Sequence, residues 1–305
     1  MIKNLKKKIK QFDPKTEILK DFQCIVKNRS IKLNFLKKFS YSDLFVSKNT
    51  GMLIPKKINS TFKNLSDWDK RYTKKTYSSN TPHFLSRHLY TVSMAEKYLN
   101  NNKRIADLGC GGAGLIKVLD KFYGFKNIYG FEHSKEMCKF NRRRFQSKSI
   151  KFINSNIQNI DERTYKNYFD VIFLTWTLGS SARPDELIDK IYKILKLNGH
   201  LIIAESSRIL IEPKVSIFYY FNTLNTFKSY PWRFSFNTLR NLLLVFNFKV
   251  VKKNNFKDSD NLVVIFKKCK EIKNKNYKFD NSKKLINFFK IWLNQSLKFV
   301  NFVKK

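Results

Sequence analysis

Acidic side chains are scarce in this chain: 23 Asp and Glu stand against 61 Lys and Arg, a formal net charge of +38 over 305 residues. Such an imbalance points toward phosphates or an anionic membrane surface. Most of the basic residues are lysines that accompany abundant Asn, Ile and Phe, so a compositional bias accounts for much of the excess. Cysteine is scarcer still. Cys24, Cys110, Cys138 and Cys269 are scattered with no close pair, which excludes a disulfide scaffold and an intact zinc site and indicates a reducing compartment. Long apolar runs are missing too. The opening MIKNLKKKIKQF is basic, but no run of seven or more apolar residues follows, so neither a secretory signal nor a membrane span is indicated and a cytoplasmic location is expected. Glycine numbers only nine, and four of those nine fall between Gly109 and Gly114.

That concentration is the most informative stretch. Ile105 to Gly114 reads IADLGCGGAG, an apolar strand ending in a tight turn and then a helix. Without a Cβ at Gly109, Gly111 and Gly114 the backbone can take positive φ and press against a ligand, while the next helix offers free N–H groups. As G-x-G-x-x-G alone the signal is weak. Asp107 sharpens it: a carboxylate two residues before the first glycine can hold a cationic amino group. Glu132 ends a second apolar run, Asn127 to Phe131, where it can accept hydrogen bonds from both hydroxyls of a ribose.

Asp107, the glycines and Glu132 together resemble the first two motifs of the class I S-adenosylmethionine-dependent methyltransferases. The resemblance implies a Rossmann-like α/β sheet, mostly parallel with an antiparallel last strand and helices on both faces. Apolar runs at 104–108, 127–131, 150–154, 169–175 and 199–205 alternate with helical stretches at 113–122, 134–146 and 184–197, which independently indicates parallel β-α units. In such sheets ligands sit beyond the carboxyl ends of the strands, where Asp107, Glu132, Asn156 and Thr175 all fall. The implied cofactor is S-adenosylmethionine, and the implied contacts are Asp107, Gly109, Cys110, Gly111, Glu132, His133, Asn156, Ile157, Leu174 and Thr175. Asn156 stands where the family usually has Asp; its amide oxygen can accept the same hydrogen bond from adenine. Trp68, Arg71 and Tyr72 resemble a W-x-x-R-Y element that closes over the methionine end, and Arg87 is placed to pair with the cofactor carboxylate. Many relatives carry Glu-His after the fourth strand; here those places are Gly179 and Ser180, so no catalytic base is assigned, with Glu205 and His133 the two candidates.

Outside this region the chain divides into an N-terminal cap over 1–66, a methyltransferase domain over 67–268 and a tail over 269–305. In the cap, Cys24 to Lys27 and Ser47 to Gly51 with Pro55 following are similar in spacing to the two knuckles of a zinc ribbon found ahead of methyltransferases of surface-sugar biosynthesis. Three of the four ligands are replaced, so no metal is expected. A lid is expected at about 206–236, rich in aromatics from Phe218 to Phe236 that either stack on an acceptor or pack the lid down. The tail ends in an amphipathic helix, Lys284 to Lys305, with Leu285, Phe289, Trp292, Phe299 and Val303 on one side. That face docks on the core, on a second subunit, or on an anionic membrane surface as a peripheral contact.

The function expected is methyl transfer to a small-molecule acceptor in saccharide or cell-envelope metabolism. RNA or protein methylation, favoured by the charge and by Arg142-Arg143-Arg144, is the enzymatic alternative. A non-catalytic cofactor-binding or membrane-associated scaffold is the other. Oligomeric state is not legible.

Overall fold

Strand-forming sequence is concentrated in the middle of the chain, where Ile105–Leu108, Ile128–Glu132 and Phe169–Thr175 are apolar along nearly their whole length, the pattern of strands covered on both faces. The computed structural model describes residues 12–23, 30–33, 44–55, 81–206, 209–210, 216–217, 231–255 and 261–303. In chain order the principal elements of the large sheet region are α2 (Pro82–Ala95), β4 (Ile105–Leu108), α3 (Gly114–Lys117, continued to Phe122 by a wider π turn), β5 (Ile128–Glu132) and α4 (Lys135–Arg144). These are followed by β6 (Ile150–Asn154), β7 (Phe169–Thr175), α5 (Pro184–Ile194), β8 (Leu195–Ser206), α6 (Phe236–Val245), β9 (Phe248–Lys253) and β10 (Asn261–Lys268).

The seven strands order as β6-β5-β4-β7-β8-β10-β9. Pairing is parallel from β6 through β8, and β10 runs antiparallel to both β8 and β9. Two hydrophobic cores flank it. One gathers α5 and α6 residues such as Ile188, Ile191, Leu239 and Leu243 on one face; the other gathers Val92, Ala95, Leu115 and Leu119 from α2 and α3 on the other. Sheet order reverses at β4, with β5 on one side and β7 on the other, which opens a crevice at their carboxyl ends.

One boundary departs from the sequence expectation. The helix expected over 184–197 ends at Ile194, and Leu195 already pairs with Phe169. Asn198 takes φ +65°, and the pairing of β7 and β8 shifts register between Phe169 and Val171. The Asn198-Gly199 pair, just past the expected helix, is therefore an irregularity inside a strand.

The described segments on either side of the large sheet meet. Ahead of the sheet lie α1 (Pro14–Phe22), β1 (Ser30–Lys32), β2 (Leu44–Ser47) and β3 (Leu53–Pro55), the strands forming an antiparallel three-stranded sheet. After it comes α7 (Ser282–Val303). Leu33, Leu44, Val46 and Leu53 share one apolar cluster with Leu285, Phe289 and Trp292, so the inner face of α7 is covered by this small sheet. The expected apolar face is only partly used, because Phe299 is 61% exposed.

The turn Ser47 to Gly51 is held by hydrogen bonds. Ser47 N–H donates to the Met52 carbonyl, Gly51 adopts φ +71°, and the Thr50 hydroxyl donates to buried Asp21 while accepting from Met52 N–H at 3.1 Å. Cys24 lies outside the described residues. Among those described, no group of His, Cys, Asp and Glu could hold a metal ion.

Helix α6 begins with a reciprocal cap: Ser235 Oγ accepts from Thr238 N–H at 3.1 Å, and Ser235 N–H donates to Thr238 Oγ1 at 2.8 Å. Ser235 Oγ also donates to Asp280, whose other oxygen accepts from Asn237 at 2.7 Å. This ties the tail to the domain. Ser235→Ala should lower unfolding stability by about 1 kcal/mol in denaturant titration, the ordinary worth of a cap, with Ser235→Thr retaining most of it.

Candidate functional site

Asp107 and Glu132 end neighbouring strands whose register pairs Asp107 with Gly130 and Leu108 with Phe131, so both carboxylates face the same turn. Gly109 (φ +79°) and Gly111 (φ +48°) supply the left-handed positions that turn requires. A Cβ on Gly109 would lie 2.8 Å from both Cγ2 and Oγ1 of Thr177, so only glycine passes there. The N–H groups of Gly109 and Cys110 both donate to the Phe131 carbonyl at 2.9 Å, which fixes the turn against β5.

Glu132 is buried and closes the turn from the other side. Its Oε2 accepts from Gly111 N–H and its Oε1 from Ser134 N–H, each at 2.9 Å, and His133 Nδ1 stands 2.9 Å from the same Oε1. Asn154 Nδ2 steadies the backbone behind it, donating to the carbonyls of Glu132 at 3.1 Å and His133 at 2.7 Å. From α4, Asn141 Nδ2 donates to the Gly111 carbonyl at 2.7 Å and Arg144 to that of Gly112 at 3.4 Å. The turn is thus anchored on three sides.

Asp107 differs. It is 1% exposed, and among the described residues its Oδ1 has no hydrogen-bond partner. Burial, reinforced by the charge of Glu132, pushes its carboxyl up from 3.8 to about 8. A buried acceptor without a donor beside a glycine turn fits a ligand that brings a cationic group. Cys110 is buried in the same place, its thiol pushed well up by burial and by the two carboxylates, which makes it an inert packing group.

The remaining sequence candidates line the same edge. Asn156 Oδ1 accepts from Gln158 N–H at 3.0 Å, capping the single turn Ile157–Asn159, and one oxygen lone pair remains for a ligand. Leu174 is fully buried in the core, so only its backbone reaches the strand end, where Thr175 follows. Arg87 lies farther along the edge: its guanidinium stands 4.0 Å over the Trp176 ring and donates to Ser206 and, at 2.5 Å, to Asn261. Trp68, Arg71 and Tyr72 fall outside the described residues, as do the lid aromatics Phe218 to Phe221, Phe227 and Tyr230. Of the lid aromatics that are described, Trp232 and Phe234 pack into the core against Phe22.

Two features were not legible in the sequence, the backbone of Trp176 and the contact of Thr177. Trp176 adopts φ +52°, an uncommon backbone for a bulky residue, with its N–H donating to the Ala204 carbonyl at 2.7 Å. Next to it, Thr177 packs on Gly109. Glu205, at the end of β8, is enclosed: its Oε1 accepts from Gly179 N–H at 3.1 Å, and burial pushes its carboxyl up to about 7 against the opposing pull of Gly179 N–H and Arg233. A proton affinity near neutrality suits a general base, whereas the hydrogen bond ties this carboxylate to the loop after β7. Glu205 was already a candidate base from its strand-end position, and the strand-end position of Trp176 and Thr177 offered a signal too; Arg233 offered none.

A family model described as a methyltransferase domain matches residues 99–230. Among curated proteins, the chain is 26% identical over 203 residues to a carboxy-S-adenosyl-L-methionine synthase of Campylobacter hominis, covering 62% of this chain and 83% of that protein. It is 25% identical over 118 residues to the ubiquinone/menaquinone biosynthesis C-methyltransferase UbiE of Wigglesworthia glossinidia brevipalpis, covering 37% of this chain and 46% of that one. Among solved structures, it resembles a chain in the complex of the Haloferax volcanii Trm112 methyltransferase activator with a methyltransferase, with a TM-score of 0.53 at 14% identity over 66% of this chain and 97% of that one.

Proposed function

Because the chain carries a class I S-adenosylmethionine-dependent methyltransferase domain, we propose that it transfers the sulfonium methyl to a small-molecule acceptor in saccharide or cell-envelope metabolism. The observation that carries the cofactor half of this reading is the convergence of Asp107 and Glu132 on the Gly109 to Gly111 turn. In it, Asp107 Oδ1 receives the amino group, Glu132 receives the ribose hydroxyls, the backbone of Gly109, Cys110 and Gly111 borders the methionine portion, and Asn156 with Ile157 meets the adenine. His133, with its Nδ1 2.9 Å from Glu132 Oε1, borders the same carboxylate. When bound, S-adenosylmethionine supplies an already activated methyl group. The work left to the chain is alignment and exclusion of water.

The acceptor half draws on the N-terminal unit. Its antiparallel strands and the hydrogen-bonded turn Ser47 to Gly51 are what a ribbon retains after its metal ligands are replaced. Leu53 of that unit bridges to Arg233 beside Glu205. We therefore read 1–66 and 269–305 as one accessory module flanking the acceptor side of the 67–268 domain. The alternative, RNA or protein methylation, has less support in the helical arginines. Arg142 donates twice to the Phe152 carbonyl, at 3.2 and 2.7 Å, and Arg144 donates to Gly112, so two of the three serve the fold.

Incubation with S-adenosylmethionine and either pooled sugar nucleotides and saccharides or total RNA separates these readings. Formation of S-adenosylhomocysteine with the first set and not the second is expected. Turnover only with RNA, together with polynucleotide affinity that falls steeply with salt, would replace the acceptor assignment. No turnover with any acceptor would favour a binding scaffold.

A further inference from the structure

Helix α7 carries more apolar side chains than its docking uses. Leu285, Phe289 and Trp292 face inward and are buried in one cluster with Leu33, Leu44, Val46 and Leu53, and Ser296 beside them is buried and accepts from Ile217 N–H at 2.8 Å. Ile291 (49% exposed), Phe299 (61%) and Phe302 (76%) are left outside. At about 100° per residue these three fall within a sector of about 80°, next to the buried face, with Lys284 in the same sector and Lys298 at its border. Phe288, half-buried, lies within the same sector.

We infer that this stripe is a peripheral docking surface for an anionic lipid bilayer, the helix lying in the headgroup plane while its inner face stays on the protein. Charge selects the occupant. Between Asn281 and Val303 there are four lysines and no Asp or Glu, within a chain of net charge +38. A large aromatic stripe with lysines at its edges matches the boundary between acyl chains and anionic headgroups, where the rings enter the apolar layer and the ammonium groups stay with phosphate. The geometry excludes crossing: among the described residues no helix is long and apolar enough to span a membrane. It also excludes the simplest reading of the sequence, in which Leu285, Phe289 and Trp292 meet lipid, because these are covered by the three-stranded sheet. This inference is independent of the methyl acceptor.

Co-sedimentation of the full-length protein with phosphatidylcholine vesicles, with and without phosphatidylglycerol, tests it. Pelleting with the anionic vesicles and little with the neutral ones is expected, weakening as salt rises. The double variant Phe299→Ser/Phe302→Ser should reduce the pelleted fraction at least threefold with an unchanged melting temperature, since neither ring is packed in the core. Lys284→Gln/Lys298→Gln should reduce it while leaving the rings in place. Absence of pelleting with anionic vesicles would overturn the inference, as would equal pelleting of the Phe variant. If that variant instead turned a dimer into a monomer in sedimentation velocity with lipid binding unchanged, the stripe would be a contact between copies of this chain.

Discussion

Glu132→Ala is expected to weaken S-adenosylmethionine binding at least tenfold by titration calorimetry. A hydrogen bond to a charged group is worth about 1.5–3 kcal/mol, and about 1.4 kcal/mol is a factor of ten. The loss has two sources that act together. The carboxylate is the acceptor proposed for the ribose, and it also holds Gly111 N–H at 2.9 Å, so its removal frees the turn that shapes the site. A 2′-deoxy form of the ligand separates the two. If Glu132 reads the ribose, the wild type loses affinity for the deoxy ligand while Glu132→Ala loses little more, the non-additivity expected of groups in contact. Glu132→Gln keeps the volume but turns one oxygen into a donor facing Gly111 N–H or Ser134 N–H, so it should also bind weakly. Unchanged affinity in a folded variant would contradict the assignment of the site.

The glycine turn was legible because its physical requirements are local: an apolar strand covered on both faces, residues able to take positive φ, and carboxylates at strand ends. The central strands accordingly begin and end within a residue or two of where the apolar runs put them, apart from β8, which starts at Leu195 rather than 199. What eluded the sequence was the identity of partners. Periodicity marks Leu285, Phe289 and Trp292 as a face, but nothing local says that Leu33, Leu44 and Val46, more than two hundred residues away, cover it. The same limit applies to charge. Arg142 and Arg144 read as charge that would favour RNA or protein methylation, yet each reaches a backbone carbonyl that no pattern reveals. The aromatics of the expected lid could equally stack on an acceptor or pack down, and only the structure shows the rings of Trp232 and Phe234 packed beside Phe22. Tertiary pairing of distant segments, rather than local preference, decides such positions.

Asp107 makes cofactor affinity a function of pH with a defined sign. In the ligand-free protein its carboxyl titrates at about 8, so it is protonated at neutral pH. Pairing with an α-ammonium group favours the carboxylate, and a proton must leave as the ligand binds. Affinity should therefore climb with pH below about 8, by at most tenfold per unit. It should fall again above that as the ligand's α-amino group, ordinarily near 7.7–8.0, loses its own proton. Folding responds in the opposite direction. Between the ordinary value of 3.8 and about 8 the folded state holds a proton that the unfolded state has released, so this group makes the ligand-free protein less stable as pH rises through that window. Asp107→Asn removes both dependences: its ligand-free melting temperature should hold up better toward pH 8, and its affinity should be weak and nearly flat with pH. Calorimetry at pH 7 in two buffers of different ionisation enthalpy counts the proton directly. Close to one released per ligand in the wild type and none in Asp107→Asn is the expected pair of values. Zero proton release in the wild type, with a flat affinity profile between pH 6 and 8, would mean that the buried carboxyl does not meet the amino group and that the ligand sits elsewhere on this edge.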